Sequence, residues 1–200
     1  MQLQLLNLLY IVNVWYNILV KVYYCDICYL NILDLNYGEF CKDRKSYVDS
    51  IKDDKRKAQS VLVWKLLTHV TAGEIIEFGV TDEGEWYDKN GKVYFSLSHS
   101  NNIVAVAISN LPVGVDVEKC CDKITKIKRR FDYVHDDSLT LTENLTKQWT
   151  IEESAFKAKN YKNVFSEKIK DLLNNEYYIS VCGEDGKIEI IPVSTEDFIK

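Results

Sequence analysis

Apolar residues recur along this chain with two different spacings, and each spacing predicts a different element. Residues 20–30 (VKVYYCDICYL) are rich in valine, tyrosine and isoleucine, which is typical of a β-strand. Residues 51–70 open with charge and then place apolar side chains on one helical face, which predicts a helix; the face consists of Val61, Trp64, Leu67 and Thr68. Residues 93–97 alternate between apolar and polar positions, as a half-buried strand does.

The rest of the chain continues this mixture of strands and helices. A buried strand is predicted at 103–109 (IVAVAIS), followed by a turn at Pro112 and another strand at 113–117. We expect helices at 119–131 and 147–160. The tail, YYISVCGEDGKIEIIPV, predicts a β-hairpin that turns at 184–186, and Asn90-Gly91 is typical of a second hairpin turn. The sum is an α/β (α+β) fold whose strands pair mostly antiparallel.

Composition and charge exclude several classes of protein. Hydrophobic residues make up 46% and charged residues 28% of the chain, which is enough for a core and excludes a disordered chain. The formal net charge is −5, so the surface as a whole is not built to bind nucleic acid. Six cysteines are too few for a disulfide-stapled scaffold. Cys25 and Cys28 form a C-x-x-C with no second pair at zinc-site spacing, so we expect reduced thiols in a cytosolic protein.

The first twenty residues form an unusual segment, because they carry no charge and fifteen of them are apolar or aromatic. That length approaches the ~20 residues that span a bilayer. The segment has neither the basic start nor the small-residue cleavage site of a secretory signal. Its glutamine and asparagine residues weaken the membrane interpretation. We expect a non-essential extension or a packed helix in preference to a membrane anchor.

Three short motifs carry side chains that are suited to chemistry. The first is VGVDVE at 113–118, where a strand would point Asp116 and Glu118 to one face and the valines to the other. Two such carboxylates could bind one hard cation such as Mg²⁺. The competing interpretation is an edge strand with a charged, solvated face.

The second motif is KQWTIEESAFKAKN at 147–160, and the third is FSLSHS at 95–100. In the second, Trp149, Glu153 and Lys157 share one helical face, where a carboxylate suits a metal and an ammonium group suits a phosphate. The alternative is a surface Glu–Lys pair worth about 0.3–0.5 kcal/mol. In the third, His99 and its neighbour Ser98 could hydrogen-bond an anion, and the alternative is a solvent-exposed turn histidine.

Taken together and in this order, FSLSHS, GVDVE and W-x-x-x-E-x-x-x-K resemble the 4′-phosphopantetheinyl transferase superfamily, and most closely its two-lobed, surfactin-synthetase-type members. The resemblance is specific from about residue 90 to residue 160. It implies two similar α/β lobes packed as a pseudo-dimer. We place these lobes at residues 20–90 and 91–200, with residues 1–19 as an extension to which the resemblance assigns no role.

The resemblance also implies a reaction and the residues that carry it. The 4′-phosphopantetheine group would pass from coenzyme A to a serine of an apo carrier protein, with Mg²⁺ bound, and 3′,5′-ADP would leave. The ligands of Mg²⁺ would be three carboxylates, those of Asp116, Glu118 and Glu153. Lys157 would bind a phosphate oxygen. The base for the serine proton would be Asp136, which stands where the family often has an acidic residue after R-F-F; Glu153 or a metal-bound water is an equal candidate.

Coenzyme A would contact two further groups of residues. His99 would bind another of its phosphates, with Ser98 nearby. The 3′-phosphate would be reached by a basic run near the start of the helix predicted at 51–70, and this run consists of Lys55, Arg56 and Lys57.

The partner implied by the resemblance is an apo acyl or peptidyl carrier protein, which is acidic around its modified serine. Residues 119–130 contain six basic residues and one acid, Asp122, so such a carrier would dock near Lys119–Arg130. The alternative is an amphipathic surface helix with solubilising lysines. Nucleic acid is disfavoured because no stacking aromatic residues are interleaved. We expect a cytoplasmic monomer.

Two features depart from the family pattern. The family usually has lysine just before the helical glutamate, and this chain has Glu152 there. The segment AKNYKN, at 158–163, lacks the glycine-rich loop that is common at this place. We therefore keep a second hypothesis, a catalytically weak relative that binds coenzyme A or carrier protein without turnover. A metal-dependent phosphohydrolase with the same acidic cluster is a third hypothesis, which no feature of the sequence favours.

Overall fold

The computed structural model describes residues 19–30, 35–72, 74–75, 77–82, 84–130, 134–159, 163–184 and 186–199. The helices within these ranges are α1 (Lys42–Ser50), α2 (Asp54–Val70) and α3 (Leu141–Ala158). Short 3₁₀ segments cover Asp122–Arg130 and Thr195–Asp197. The strands are β1 (Leu19–Asp26), β2 (Phe78–Val80), β3 (Trp86–Asp88), β4 (Tyr94–Ser100), β5 (Ile103–Ser109), β6 (Val113–Lys119), β7 (Asn163–Lys170), β8 (Glu176–Gly183) and β9 (Lys187–Pro192).

These strands form three sheets. A four-stranded sheet has the order β4-β5-β1-β9, a three-stranded sheet has the order β6-β8-β7, and β2 pairs with β3. Each described strand pair is antiparallel except that of β1 with β9, which is parallel. The predicted mixture of helices and mostly antiparallel strands is therefore confirmed.

The two larger sheets pack face to face, and a helix covers the outer face of each. Buried side chains of β1 and β5, such as Val22, meet those of β6 and β8, such as Val117, between the sheets. The other face of β1 and β5 packs on α2, whose Trp64 is fully enclosed. Helix α3 covers the three-stranded sheet and places Ala155 against Cys182. This layering brings β4, at the edge of one sheet, beside β6 of the other.

Side-chain caps set where the two long helices begin. Asp53 precedes α2 and accepts a hydrogen bond from the backbone N–H of Arg56. Thr140 and Glu143 form a reciprocal capping box at the start of α3. The same helix ends at Lys159, whose φ of 54° is left-handed. These signals explain why the predicted helices at 51–70 and 147–160 run instead from Asp54 and from Leu141.

Both predicted hairpins are wrong. Strand β8 pairs with β6 and β7, whereas β9 pairs with β1, so the chain passes from one sheet to the other between these two strands. The physical reason is that β8 is almost entirely buried and takes a partner on each edge. Asn90-Gly91 likewise connects β3 to β4, which lie in different sheets. There the carboxylate of Asp88 accepts hydrogen bonds from the N–H groups of Asn90, Lys92 and Val93, and this turn ends β3.

Other predictions are corrected or lie outside the described ranges. The helix predicted at 119–131 is a 3₁₀ segment over Asp122–Arg130. The proposed extension, residues 1–19, lies outside the described residues apart from Leu19, which begins β1. Among the residues that the structure describes, none of the helices combines the length and the apolar character needed to cross a bilayer.

Candidate active site

Strand β6 and helix α3 approach each other closely at Gly114. A Cβ atom at this position would lie 2.0 Å from the carbonyl oxygen of Ser154 and 2.6 Å from the backbone nitrogen of Ala158. Glycine therefore allows the helix backbone to rest directly on the strand. This packing brings Lys157 over β6, where its Nζ donates a hydrogen bond to the carbonyl oxygen of Val115 at 3.0 Å.

Asp116 is the centre of the site. Its neighbours Val115 and Val117 are buried between the two sheets, while its carboxylate faces α3, as the alternation of the strand predicts. Asp116 is only 7% exposed. Its Oδ1 accepts hydrogen bonds from Lys157 Nζ at 2.8 Å and from Ser98 Oγ at 2.9 Å. A carboxylate buried this deeply needs such partners, so both contacts stabilise its charge.

Glu118 and Glu153 flank Asp116. Burial raises the pKa of Glu118; the Ser100 hydroxyl opposes this and the charge of Asp116 adds to it. The pKa of Glu153 is raised first by burial and then by the charge of Asp116, against the opposing effect of Lys157. Both glutamates, one on β6 and one on α3, are therefore close enough to Asp116 for its charge to act on them.

The chemistry of this donor set fits a hard divalent cation such as Mg²⁺. The donors are carboxylates, and the attraction of a cation would offset the effects of burial and of repulsion from Asp116 that raise the pKa of both glutamates. Their present arrangement is that of an ion pair and not of a ligand cage. In the described part of the chain, no three His, Cys, Asp or Glu side chains are grouped closely enough to hold a metal ion. Lys157 supplies the positive charge at Asp116.

Serines of the FSLSHS motif join β4 to β6. The hydroxyl groups of Ser96, Ser98 and Ser100 accept hydrogen bonds at 3.0, 3.1 and 3.2 Å from the backbone N–H groups of Val115, Val117 and Lys119, respectively. The opposite edge of β6 pairs with β8. Side chains on β4 therefore satisfy N–H groups of β6 that have no backbone partner on that side. The FSLSHS and VGVDVE motifs therefore lie side by side, with a regular spacing of contacts along β6.

His99 lines a cavity of about 310 Å³ together with Asp116 and Lys157. The pKa of His99 is lowered to about 4, first by burial and then by the charges of Lys157, Arg56 and Arg44. The imidazole is therefore neutral at pH 7 and can donate one hydrogen bond. The cavity combines cations with a carboxylate, which suits a ligand that carries both negative charge and a bound metal ion.

Arg44 of α1 also lines this cavity, and sequence reasoning missed it. It is 3% exposed, and its guanidinium stacks 4.5 Å from the ring centroid of Trp64 and 5.5 Å from that of Trp86. Its Nη2 donates to the carbonyl and hydroxyl oxygens of Ser60, and its Nε has no partner. No carboxylate of the described residues forms an ion pair with it.

Burial without a counter-ion lowers the pKa of Arg44 to about 10. A buried cation in this state favours binding of an anion, which would replace the lost hydration. Residues 31–50 show no clear periodicity, and the two tryptophans that enclose the guanidinium lie far along the chain. The sequence therefore offered no signal for Arg44 beyond its charge.

The three basic side chains near the start of α2 have different surroundings. The charge of Arg56 acts on the imidazole in the cavity. Lys55 Nζ instead lies 3.2 Å from Oδ1 of Asn101. Lys57 Nζ lies 6.0 Å from the ring centroid of Tyr37. Consecutive residues of a helix point in directions ~100° apart, so one ligand group cannot meet all three side chains at once.

Asp136 lies before α3, and its hydrogen bonds are to residues near it in the sequence. Its carboxylate accepts hydrogen bonds from the backbone N–H and the hydroxyl of Ser138, and these lower its pKa. Its own N–H donates to Asn144. Helix α3 rises about 1.5 Å per residue, so Thr140 and Glu153 are about 20 Å apart along its axis. The structure therefore places Asp136 near the opposite end of α3 from Lys157.

Glu152, which departs from the family pattern, accepts a hydrogen bond from a side chain of its own helix. Its Oε1 accepts a hydrogen bond from Gln148 Nε2 at 2.8 Å, one turn earlier in α3. This contact directs the carboxylate along the helix, whereas the neighbouring Glu153 is close enough to Asp116 for the charge of that residue to raise its pKa.

A second cavity, of about 410 Å³, shares Lys157 and Trp86 with the first. Its walls include the aromatic side chains of Tyr94 and Phe95. An aromatic wall suits an uncharged chain better than a phosphate group. Lys157 therefore stands between a cationic cavity and an aromatic one.

Comparisons with known proteins point in the same direction as the motifs. No protein-family model matches the chain. The 4′-phosphopantetheinyl transferase gsp of Aneurinibacillus migulanus is 36% identical to the chain over 73 residues. That match covers 33% of this chain and 31% of the relative, so the chain spans about a third of the length of the curated relative it matches. The similarity supports a place for this chain in the 4′-phosphopantetheinyl transferase superfamily.

Proposed function

We propose that this protein transfers the 4′-phosphopantetheine group of coenzyme A to a serine hydroxyl of an apo carrier protein, with Mg²⁺ bound, and releases 3′,5′-ADP. The observation that carries the proposal is the cavity in which Arg44, His99 and Lys157 lie with Asp116. Phosphoryl transfer depends mainly on the positioning of the phosphates and on neutralisation of their charge. This cavity offers cationic and neutral donors for phosphate oxygens and a carboxylate for a metal ion.

The charged and polar residues in and around the cavity would have distinct tasks. Mg²⁺ would be held by the carboxylates of Asp116, Glu118 and Glu153, and when bound it would neutralise charge on the pyrophosphate. Lys157 would bind a phosphate oxygen with its ammonium group. His99, neutral at pH 7, would donate its N–H to another phosphate, and the charge of Arg56 would add to the attraction. Lys55 and Lys57 would contribute only to the surrounding positive potential.

The remaining parts of the two substrates fit the surroundings of Lys157. We place the uncharged pantetheine arm in the aromatic cavity beside Trp86 and Phe95, since both cavities meet at Lys157. Glu153 is better placed than Asp136 to accept the serine proton, because Asp136 is bound to Ser138 near the other end of α3.

We further propose the surfactin-synthetase-type subclass, with two lobes at 20–90 and 91–200 that act as a monomer in the cytoplasm. Two sheets packed face to face, each covered by a helix, support a two-layer arrangement. The boundary at residue 90 does not follow these layers, because β1 pairs with β5 and β9 in one sheet. An acidic acyl or peptidyl carrier protein would dock near Lys119–Arg130. Lys123 and Lys126 are exposed on the 3₁₀ segment there and would attract such a partner.

A second candidate is a catalytically weak relative that binds coenzyme A or carrier protein without turnover. Glu152, in place of the family lysine, is the feature that favours it. Its hydrogen bond to Gln148 argues for the active transferase, because it directs the added negative charge along the helix. Replacement of Glu152 by lysine separates the two, since a large rise in rate would indicate a degraded enzyme.

The decisive experiment incubates the purified protein with an apo carrier protein, coenzyme A and Mg²⁺ and then weighs the carrier by mass spectrometry. The proposal predicts a gain of one phosphopantetheine group, abolished in Asp116→Ala. Binding of coenzyme A with no gain on several acyl and peptidyl carriers would favour the weak relative. Release of a phosphate product in the absence of any carrier would instead indicate a phosphohydrolase.

A further inference from the structure

Two neighbouring leucines are exposed in the turn that joins β7 to β8. Leu172 is 68% exposed and Leu173 is 54% exposed. Both lie in residues 171–175, which we call the leucine turn, and this turn connects two strands of the three-stranded sheet. Burial of a leucine side chain favours folding, so two adjacent leucines at the surface indicate a contact with another molecule.

The leucine turn is held in place by a buried aspartate. Asp171 is 5% exposed, and its Oδ1 accepts hydrogen bonds from the N–H groups of Leu173 and Asn175 at 2.9 and 2.8 Å. Its Oδ2 accepts from the side chains of Asn102 and Tyr177 at 3.1 and 3.0 Å. The two leucines are therefore presented by a fixed backbone, and a preformed surface loses little conformational entropy when a partner binds.

A strongly basic segment begins beside the leucine turn. The Nζ of Lys119 donates a hydrogen bond to Oδ1 of Asn175 at 2.7 Å. Residues 119–130 contain six basic residues and one acidic residue, and Lys123 and Lys126 are exposed. Apolar side chains next to a group of cations fit a partner whose own surface combines apolar side chains with acidic ones.

The leucine turn also lies near the strand that carries the centre of the candidate active site. Asp116 and Lys119 are three residues apart on β6, which is about 10 Å along an extended strand. The side chain of Lys119 contacts the turn. A small protein domain is about 30 Å across, so one such domain could cover both the turn and the candidate active site.

We propose that Leu172 and Leu173 form the apolar contact through which this protein binds an acidic carrier protein, with the basic segment 119–130 beside it. This inference rests on the proposed function and adds to it, since only the basic segment has so far been given a part in docking. The apolar contact slows dissociation of the carrier, whereas the exposed lysines speed its association.

A second copy of this chain is a less suitable occupant of the same surface. In a two-fold symmetric dimer the same patch lies on both subunits. A dimer formed through the leucine turn would bring the two basic segments together, and repulsion between like charges opposes that arrangement. An acidic carrier protein brings the opposite charge to the basic segment.

Binding of an apo acyl carrier protein and of an apo peptidyl carrier protein, measured by surface plasmon resonance, tests the contact without requiring transfer. Leu172→Ser and Leu173→Ser should each raise the dissociation rate about 10-fold and leave the salt dependence of association unchanged. Lys123→Ala should instead lower the association rate and weaken its salt dependence. Val164→Ser is the matched control, because Val164 is 38% exposed at the other end of β7 and should have no effect on binding.

Kinetics and sedimentation complete the test. Leu172→Ser should raise the KM for the carrier and leave the KM for coenzyme A unchanged. Modification of a carrier with an unchanged KM in both leucine variants would overturn the docking proposal and leave the transferase function standing. An equal loss of binding in Val164→Ser, or a wild-type dimer that Leu172→Ser dissociates, would also overturn it. Leucine-dependent binding without modification of any carrier would count against the transferase function alone.

Discussion

The ammonium group of Lys157 and the carboxylate of Asp116 form a 2.8 Å ion pair that joins α3 to β6 within the candidate active site. The two side chains are 24% and 10% exposed, so water screens the pair only in part. In such a setting the loss of one charge leaves the other buried without a counter-ion, which costs more than the pair itself contributes. The residues proposed for catalysis therefore also hold the two elements together.

Lys157→Met should destabilise the protein by about 1–3 kcal/mol, because it leaves Asp116 unpaired. Lys157→Arg retains the charge and should cost less. The double variant Asp116→Asn with Lys157→Met should be less unstable than the sum of the single variants, since it leaves no unpaired charge. Urea denaturation of the wild type, of Asp116→Asn and Lys157→Met, and of the double variant gives the coupling energy. Additivity within about 0.5 kcal/mol would show that the two side chains do not interact.

Gly114→Ala should displace α3 from β6. The new Cβ would lie 2.0 Å from the carbonyl oxygen of Ser154, a backbone atom that cannot move without the helix. We expect a loss of stability of about 3 kcal/mol or more, together with loss of transferase activity as Lys157 shifts. Gly183→Ala is the control, because its Cβ would meet its nearest neighbour, Val20 Cγ2, at an ordinary 3.5 Å. Similar urea midpoints for the two variants would contradict this account of the packing.

Local periodicity was sufficient to predict the elements that carry the site. The alternation in VGVDVE gave both the strand and the separation of Asp116 from the buried valines, because only one face of β6 packs between the sheets. The four-residue spacing in α3 placed Glu153 and Lys157 on the same side, where both interact with Asp116. The spacing of residues within each motif therefore predicted which side chains share a face of the strand or the helix.

Long-range pairing was not predictable in the same way. The tail reads as a hairpin because two strand-like stretches flank a glycine, yet β9 leaves β8 to pair with β1. The sequence of the tail does not specify that β9 pairs with β1, since this pairing depends on which edge strand of a sheet lacks a partner. Arg44 was missed for a similar reason, because its site is formed by Trp64 and Trp86 from two other elements.

The ion pair between Glu143 and Lys168 should make the protein sensitive to strong acid. The side chains of Lys168 and then Thr140 lower the pKa of Glu143 from 4.5 to about 2. Because the folded-state pKa is below the unfolded value, the stabilisation is present in full above pH 4.5 and is lost as the pH falls toward 2. Since Lys168 is 34% exposed, we expect a contribution of only about 1 kcal/mol.

Urea midpoints measured from pH 7 to pH 2 test this contribution. Glu143→Gln should lower the midpoint at pH 7 and flatten its decline below pH 4.5. Glu189→Gln provides the comparison, because the pair of Glu189 with Lys187 lies on the surface and should contribute little. Identical acid profiles for Glu143→Gln and the wild type would exclude Glu143 as a source of the pH dependence.

His99 should make stability depend on pH in a higher range. Burial is the main cause that lowers its pKa from 6.5 to about 4, so between these values the unfolded chain binds a proton that the folded chain does not. Stability should therefore fall as the pH drops from 6.5 to 4, by an amount of the order of 2 kcal/mol. His99→Asn should remove this part of the decline, which thermal denaturation in that interval measures. An unchanged decline in the variant would assign it to other groups.

Binding of coenzyme A should raise the pKa of His99, so the imidazole should take up a proton when coenzyme A binds. The cations Lys157, Arg56 and Arg44 lower the pKa of the imidazole, and phosphate groups placed among them would raise it again. The affinity of the wild type for coenzyme A should therefore increase as the pH falls from 7 to 5, and His99→Asn should bind with less dependence on pH. Calorimetry in two buffers with different ionisation enthalpies counts the protons directly. Tight binding without proton uptake at pH 5.5 would show that the phosphates lie away from His99.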